Sequence, residues 1–229
     1  CSACTVLRGG EVTGVCDPRE ESNASLSRLM IGAEPPALSV TPRQAGPVVL
    51  DVQGLSVHSE DPFGMDLHDL HLQVRSGEVL GIAGVSGNGQ RELMYALSGE
   101  DERLPAAGGL AMDGRSLAGV GPAARRQMGL HFVPEERLGR GAVPSMSLAH
   151  NLLLTRSEAL GRGGWIRTGA LAEQARGLIA RFRVKAGGPL AAAQSLSGGN
   201  LQKFIVGREI EARPRLLILS QPTWGVDVG

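Results

Sequence analysis

Apolar and polar positions along this chain fall into short runs separated by glycine- and proline-bearing breaks. Near the start, TVLRGGEVTG (5–14) reads as a strand, a Gly-Gly turn and a return strand. SNASLSRLM predicts a short helix with Ser or Asn available as its N-cap. The run EPPALSVTPRQAGP (34–47) is weakly patterned and proline-bearing, and reads as a linker. From Val48 the pattern is dense. VVLDVQGLSV and MDLHDLHLQV predict two strands, RSGEVLGIAGV a turn into a buried third strand, and QRELMYALSG a helix. Farther on, a second amphipathic helix turns Leu201, Phe204, Ile205 and Val206 inward and is ended by Arg213-Pro214. Leu216 to Leu219 is apolar throughout, as expected of a strand buried on both faces of a parallel sheet. It stops at two neutral polar residues, Ser220 and Gln221. A chain that finishes one element and then starts a domain reads as the tail of one module plus most of another.

Composition adds bounds rather than a function. A chain of 229 residues can bury a sizeable core, as one large domain or parts of two. Its 42% hydrophobic and 20% charged residues are an ordinary globular mixture. Lys+Arg and Asp+Glu balance at 23 each, so net charge points to neither nucleic acid nor an anionic membrane surface. No apolar run approaches the roughly 18–20 residues needed to cross a bilayer, and no signal peptide opens the chain. It begins at Cys1 without Met, which reads as a fragment. Cys1, Cys4 and Cys16 are too few for a disulfide framework, and Cys1-x-x-Cys4 lacks a second ligand pair. They read as incidental thiols in a reducing compartment. His68 and His71, three apart along a strand, point to opposite faces and read as surface residues. No metal site is expected.

Two glycine-rich segments carry the chemistry. At GVSGNGQR (84–91) a strand runs into a loop that opens a helix. Gly84, Gly87 and Gly89, with Ser86 and Asn88 between them, let backbone N–H groups converge on an anion at the positive end of that helix. A phosphate loop then wants Lys and a Ser/Thr hydroxyl, for the β/γ-phosphates and Mg²⁺. Gln90 and Arg91 stand there instead, and Lys185 and Lys203 are the only lysines in the chain. Taken alone, the segment could also be a turn that merely packs strand against helix. The second segment, SLSGGNLQK (195–203), puts Ser197, Gly198 and Gly199 at a helix start, exposing a hydroxyl and backbone donors. About 16 residues later come the apolar strand and QPTWGVDVG.

In this order the segments resemble the nucleotide-binding domain of ABC transporters. Leu196-Ser197-Gly198-Gly199-Asn200 resembles the LSGGQ signature, in the LSGGN form of tandem sugar and nucleoside importer ATPases. Gly84–Arg91 matches the Walker A position, Leu216–Gln221 the Walker B position, and Gly225-Val226-Asp227 the D-loop. FVPEERLGRG (132–141) resembles those importers' VPEDR segment, and TVLRGGEVTG the last hairpin of a preceding domain. The GNGQRE loop and QPT tip are most similar to the second domain of nucleoside-type importers paired with basic-membrane-protein lipoproteins.

The resemblance implies an α/β, P-loop NTPase (ABC ATPase) fold with a mixed β core, and a helical subdomain at about 122–200. It implies residues 1–20 as the tail of a first nucleotide-binding domain, 21–47 as a short helix and linker, and 48–229 as a second domain. That domain would be truncated after the D-loop, before the H-loop histidine. ATP would be the cofactor, with Mg²⁺ mainly at the partner site. Gly84, Ser86, Gly87, Asn88, Gly89, Gln90 and Arg91 would line this domain's own site. Ser197, Gly198, Gly199 and Asn200 would meet the γ-phosphate held by the first domain, because such domains dimerise head to tail, and Asp227 would link the two sites.

In the family, the Walker B aspartate and the next glutamate serve the metal and the attacking water, and Ser220 and Gln221 hold those places here. Neither carries charge, and an amide cannot act as a general base, a role worth roughly 10²–10⁴ in rate. Four features are missing together, so this half's own site is expected not to hydrolyse ATP. Implied partners are the first domain of the same chain, transmembrane permease subunits and, indirectly, an extracytoplasmic substrate-binding protein. No nucleic acid is expected, and the place is the cytoplasmic face of the cell membrane. The competing readings are a non-catalytic nucleotide-binding scaffold and a soluble ABC ATPase acting on DNA or ribosomes.

Glu135 and Glu136, beside Arg137 and Arg140, read as a charged surface, which the resemblance makes a loop sensing the membrane subunits. Phe63 lies in the loop where an adenine-stacking aromatic would sit, but spacing puts Asp61 nearer that position. Trp224 has no assigned role.

Overall fold

The computed structural model describes residues 1–8, 10–32, 44–59, 61–101, 109–156, 161–162 and 165–223. The chain divides into two compact units, Cys1–Pro42 and Arg43–Val226.

In the first unit, β1 (Cys4–Arg8) and β2 (Glu11–Cys16) pair antiparallel, with Cys4 opposite Cys16 and Arg8 opposite Glu11. Gly10 at φ 88° supplies the positive backbone angle of the tight turn. Helix α1 (Asn23–Ile31) starts where expected, because Ser22 and Ser25 form a reciprocal capping box. It stops at Gly32, in the left-handed conformation, whose N–H bonds Arg28 O at 2.7 Å. Thr13 Oγ1 lies 3.4 Å from Leu29 O, which ties the helix to the hairpin.

The second unit holds β3 (Val48–Val57), β4 (Leu67–Arg75), α2 (Gln90–Ser98), β5 (Leu110–Met112), β6 (Arg115–Ser116), α3 (Pro122–Gln127), β7 (Leu130–Val133), α4 (Leu148–Leu153), β8 (Gly161–Arg162), β9 (Trp165–Ile166), α5 (Thr168–Arg181), α6 (Gly198–Glu211) and β10 (Leu216–Leu219). An antiparallel sheet runs in the order β4-β3-β5-β6, and β7 and β10 form a separate parallel pair. Residues 193–195 form a single 3₁₀ turn ahead of α6. Two cores result. Leu50, Val52 and Leu55 of β3 pack with Leu93, Ala96 and Leu97 of α2. Leu148 and Leu152 of α4, Leu171 and Leu178 of α5, and Phe204 and Ile205 of α6 form the other. Arg125 of α3 is 1% exposed and closes α2 from its C-terminal end, bonding Ala96 O, Leu97 O, Val120 O and Leu117 O at 2.6–2.9 Å. Backbone carbonyls at a helix C-terminus suit a cation, although burial lowers the basicity of this one.

Two expectations change. Residues 78–85 are not a buried third strand: none carries strand pairing, and Val79 and Val85 are 96% and 76% exposed. An apolar run encodes burial but not the ladder partner that makes it a strand. Likewise β10 is not buried on both faces: among the described residues it pairs only with β7, and Leu219 is 40% exposed. Leu201, Phe204 and Ile205 are inside as expected, and Val206, partly buried, packs against the same core.

Candidate functional site

Gly87 and Gly89 sit at φ 91° and 93°, a conformation that L side chains rarely adopt, and this is what lets residues 86–89 turn into α2. Gln90 does more than fail to be a lysine. Its Oε1 accepts from Asn88 N–H at 3.0 Å and its Nε2 donates to Val85 O at 3.1 Å. A Cβ on Gly84 would lie 2.6 Å from Gln90 Nε2. The amide therefore folds back across the loop, and it consumes one of the loop's backbone donors. Arg91 Nη1 lies 3.8 Å from Asp61 Oδ2, and Glu92 Oε1 accepts from Met65 N–H at 3.3 Å. These contacts hold the 61–65 loop beside the glycine loop, with Phe63 fully in solvent and Asp61 facing Arg91. A carboxylate there offers no face for an adenine to stack on.

The start of α6 is arranged differently. Ser197 is its N-cap residue, yet its hydroxyl makes no capping bond and instead accepts from Asn200 Nδ2 at 2.8 Å. Asn200 Oδ1 accepts from Lys185 N–H at 2.8 Å. The first-turn N–H groups are thus not covered by the side chain that usually covers them. At the tip of β10, Ser220 N–H bonds Val133 O at 3.0 Å, and Gln221 is exposed at φ 45°. Among the described residues, no hydrogen bond or ion pair joins 84–91 to 197–200. Asp227, Gly225, Val226 and Trp224 lie outside the described residues.

The 134–142 segment is more than a charged surface. Arg137 Nε donates to Gln202 Oε1 at 3.2 Å, and Gln202 Nε2 reaches Pro222 O at 3.3 Å. The segment therefore meets α6 and the β10 tip through one buried amide. Arg140 pairs with Glu136 at 2.7 Å and with Glu100 just beyond α2, and stacks over the Tyr95 ring at 4.8 Å from its centroid. Burial works against the Arg140 charge, but Glu100 and Glu136 outweigh it and raise its basicity. Two arginines three residues apart thus fasten one loop to both helices that open on glycine-rich turns. Sequence shows the charges; their partners 40 and 65 residues away are set only by the fold. Arg140→Ala is expected to lower stability by about 1–2 kcal/mol through loss of the partly exposed pairs and the ring contact. Arg140→Lys, which keeps charge without the planar face, should recover about half. Urea titration reads both; equal losses would mean the stacking contributes nothing.

Beneath this loop lies a charge cluster with no sequence signal. Glu209 is fully buried, meets Arg126, and lies 2.8 Å from His131 Nδ1 and 2.9 Å from Arg208 Nε. Arg208 also donates to Gly141 O at 2.9 Å and Asn151 O at 3.1 Å. Burial alone would raise the Glu209 carboxyl. The His131 hydrogen bond and the Arg208 and Arg126 charges overcome it and hold the carboxyl at about 2. An ionised carboxylate only accepts, so His131 Nδ1 carries the proton and cannot also accept from Arg126 at 3.1 Å. Burial lowers Arg208, opposed by Glu209. Among the described residues, no group of three His, Cys, Asp or Glu could hold a metal ion, and no helix is long and apolar enough to cross a membrane.

A glycine loop thus opens α2, a second glycine pair opens α6, and a short strand follows it. The chain is 40% identical over 230 residues to the glucose import ATP-binding protein TsgD13 of Haloferax volcanii, covering 98% of this chain and 41% of that protein. It is 36% identical to the guanosine import ATP-binding protein NupO of Bacillus subtilis, covering 100% and 45%. The chain thus spans less than half the length of these relatives. In fold it is similar to MJ1267, an ATP-binding cassette of an ABC transporter, with TM-score 0.60, 20% identity and coverage of 79% of this chain and 71% of that one. A family model described as ABC transporter matches residues 67–224, a span that holds the glycine loop, the 134–142 segment, α6 and β10. By that match, and with the α/β fold of a P-loop ABC ATPase, the chain belongs to the ABC transporter ATPase family.

Proposed function

We propose that this chain is the second nucleotide-binding half of an ABC importer's ATPase subunit, which couples ATP to uptake of a nucleoside or simple sugar. One contrast carries the reading: α6 opens on uncapped donors at Gly198 and Gly199, whereas this domain's own loop is crossed by Gln90. The sugar and guanosine import relatives support the importer class. In this reading Ser197, Gly198, Gly199 and Asn200 complete the ATP site of a first domain in the same polypeptide, and Asp227 bridges the two sites. Mg²⁺ works mainly at that partner site. Residues 1–20 are the end of the first domain and 21–47 lead from it into the second. The subunit sits at the cytoplasmic face of the cell membrane against permease subunits that receive cargo from a substrate-binding protein.

The local site is non-hydrolytic by its chemistry. Ser220 and Gln221 supply neither a metal charge nor a base, and no lysine replaces Gln90. The second reading is a non-catalytic scaffold that only binds nucleotide or membrane subunits, and the fold-back of Gln90 in the domain's own loop is compatible with it. A titration with ATP, with and without Mg²⁺, tests the local site. Weak binding that is largely indifferent to Mg²⁺ is expected; micromolar binding that requires Mg²⁺ would overturn the non-hydrolytic assignment.

A further inference from the structure

The three cysteines looked incidental in sequence because Cys4 and Cys16 are 12 residues apart across a turn, with no motif between them. The hairpin register brings them together. Cys4 stands directly opposite Cys16 as the terminal pair of β1 and β2. Directly opposed residues in antiparallel strands have Cα atoms about 4.5–5.5 Å apart, with side chains on the same face. That lies inside the roughly 4.4–6.8 Å window that a disulfide spans. The neighbouring pairs Thr5–Val15 and Val6–Gly14 keep register, and the irregularity falls beyond them, between Val6 and Leu7. Both thiols are free and partly exposed. Cys1 is exposed and outside the pairing.

We propose that Cys4 and Cys16 are a thiol–disulfide exchange site, closing to a cross-strand disulfide with a small-molecule disulfide such as oxidised glutathione as oxidant. One thiolate attacks the small disulfide, forming a mixed disulfide and expelling one small thiolate. The second cysteine attacks the protein sulfur of that mixed disulfide and expels the other. Two protein thiols and one small disulfide become one protein disulfide and two small thiols, with the two thiol protons passing to the released sulfurs. Dehydration at the site, then Cys4, Glu21 and Asp17, push the Cys16 thiol up; Asp17 is itself paired with Arg19. The thiolate is therefore scarce at neutral pH, and exchange quickens in alkaline buffer. The product would pin the open end of the hairpin on which α1 rests.

The test treats the reduced full chain carrying Cys1→Ser with oxidised glutathione at mildly alkaline pH and reads intact mass without reductant. The expected product is two hydrogens lighter than the reduced chain, carries no glutathione, reverts with dithiothreitol, and yields a peptide joining Cys4 to Cys16. Adding Cys4→Ser or Cys16→Ser should instead trap one glutathione on the remaining thiol. A parent chain that ends with glutathione on both cysteines, or as a disulfide-linked dimer, would overturn the proposal.

Discussion

Full-length protein carrying Gly198→Glu is expected to lose steady-state ATP hydrolysis by at least about 100-fold. A Cβ at position 198 would lie 2.5 Å from Arg137 Nη1, the tip of a flexible side chain, so the steric cost is small. The electrostatic cost is not. A glutamate there meets Arg137 and plants a negative charge among the first-turn donors of α6, where the proposed γ-phosphate of the partner site would sit. Like charges about 4 Å apart near a protein surface repel by about 4 kcal/mol, which is close to a thousandfold. Removal of one positioned donor in comparable sites costs about 10²–10³ in rate, so the two routes agree. Gly198→Ala adds only the Cβ and should be far milder. Gln90→Ala, in the domain's own loop, should leave turnover within a few-fold, because that loop already lacks its lysine and its metal ligands. Comparable mild losses at 198 and 90 would mean that α6 meets no phosphate, and the scaffold reading would replace the importer half.

The second large effect concerns folding. Glu209→Gln removes the carboxylate that faces Arg126, Arg208 and His131, and is expected to destabilise the chain by about 3–5 kcal/mol, the usual cost of leaving buried cations unpaired. The pH dependence has a definite sign. Folded Glu209 titrates at about 2, below the ordinary 4.5 of an unfolded glutamate. Its contribution, about 3 kcal/mol for a depression of that size, is fully present above about pH 5 and fades as pH falls through 4 toward 2. Denaturant unfolding of the parent and Glu209→Gln chains at pH 7 and pH 3 should therefore show the gap between them closing at the lower pH. A gap of equal size at both would show that packing of the side chain, not its charge, carries the effect.

Legibility from sequence followed the range of the forces involved. Helices α1, α2 and α6 were readable because their starts are written locally, in Ser22 with Ser25, in the 87–89 glycines, and in Ser197-Gly198-Gly199. The β1–β2 turn was readable for the same reason. Residues 78–85 were misread because hydrophobicity is a property of the run, whereas a strand is a property of a pair. The absence of lysine and carboxylates at 90, 220 and 221 was visible; the way Gln90 turns back onto Val85 and Asn88 was not, since a glutamine writes no orientation into a sequence. Glu209, His131, Arg126 and Arg208 could not be recognised together, because 78 residues separate Glu209 from the histidine it holds. Cys4 and Cys16 were only nearly within reach: counting outward from the Gly-Gly turn sets Cys4 opposite Val15, and the irregularity between Val6 and Leu7, which no residue announces, shifts Cys16 into place.

The exposed run Val79 to Val85 has a consequence for the chain as a colloid. It holds four large apolar side chains in solvent, no charge and no proline, with backbone groups outside any ladder. Such a segment is a template for pairing with the same segment of another molecule, and the chain's zero net charge offers no long-range repulsion to slow the encounter. Handled alone, the 229-residue polypeptide should therefore self-associate more readily as its concentration rises and as salts that strengthen apolar burial are added. Its solubility is governed by the very segment that leads into the glycine loop.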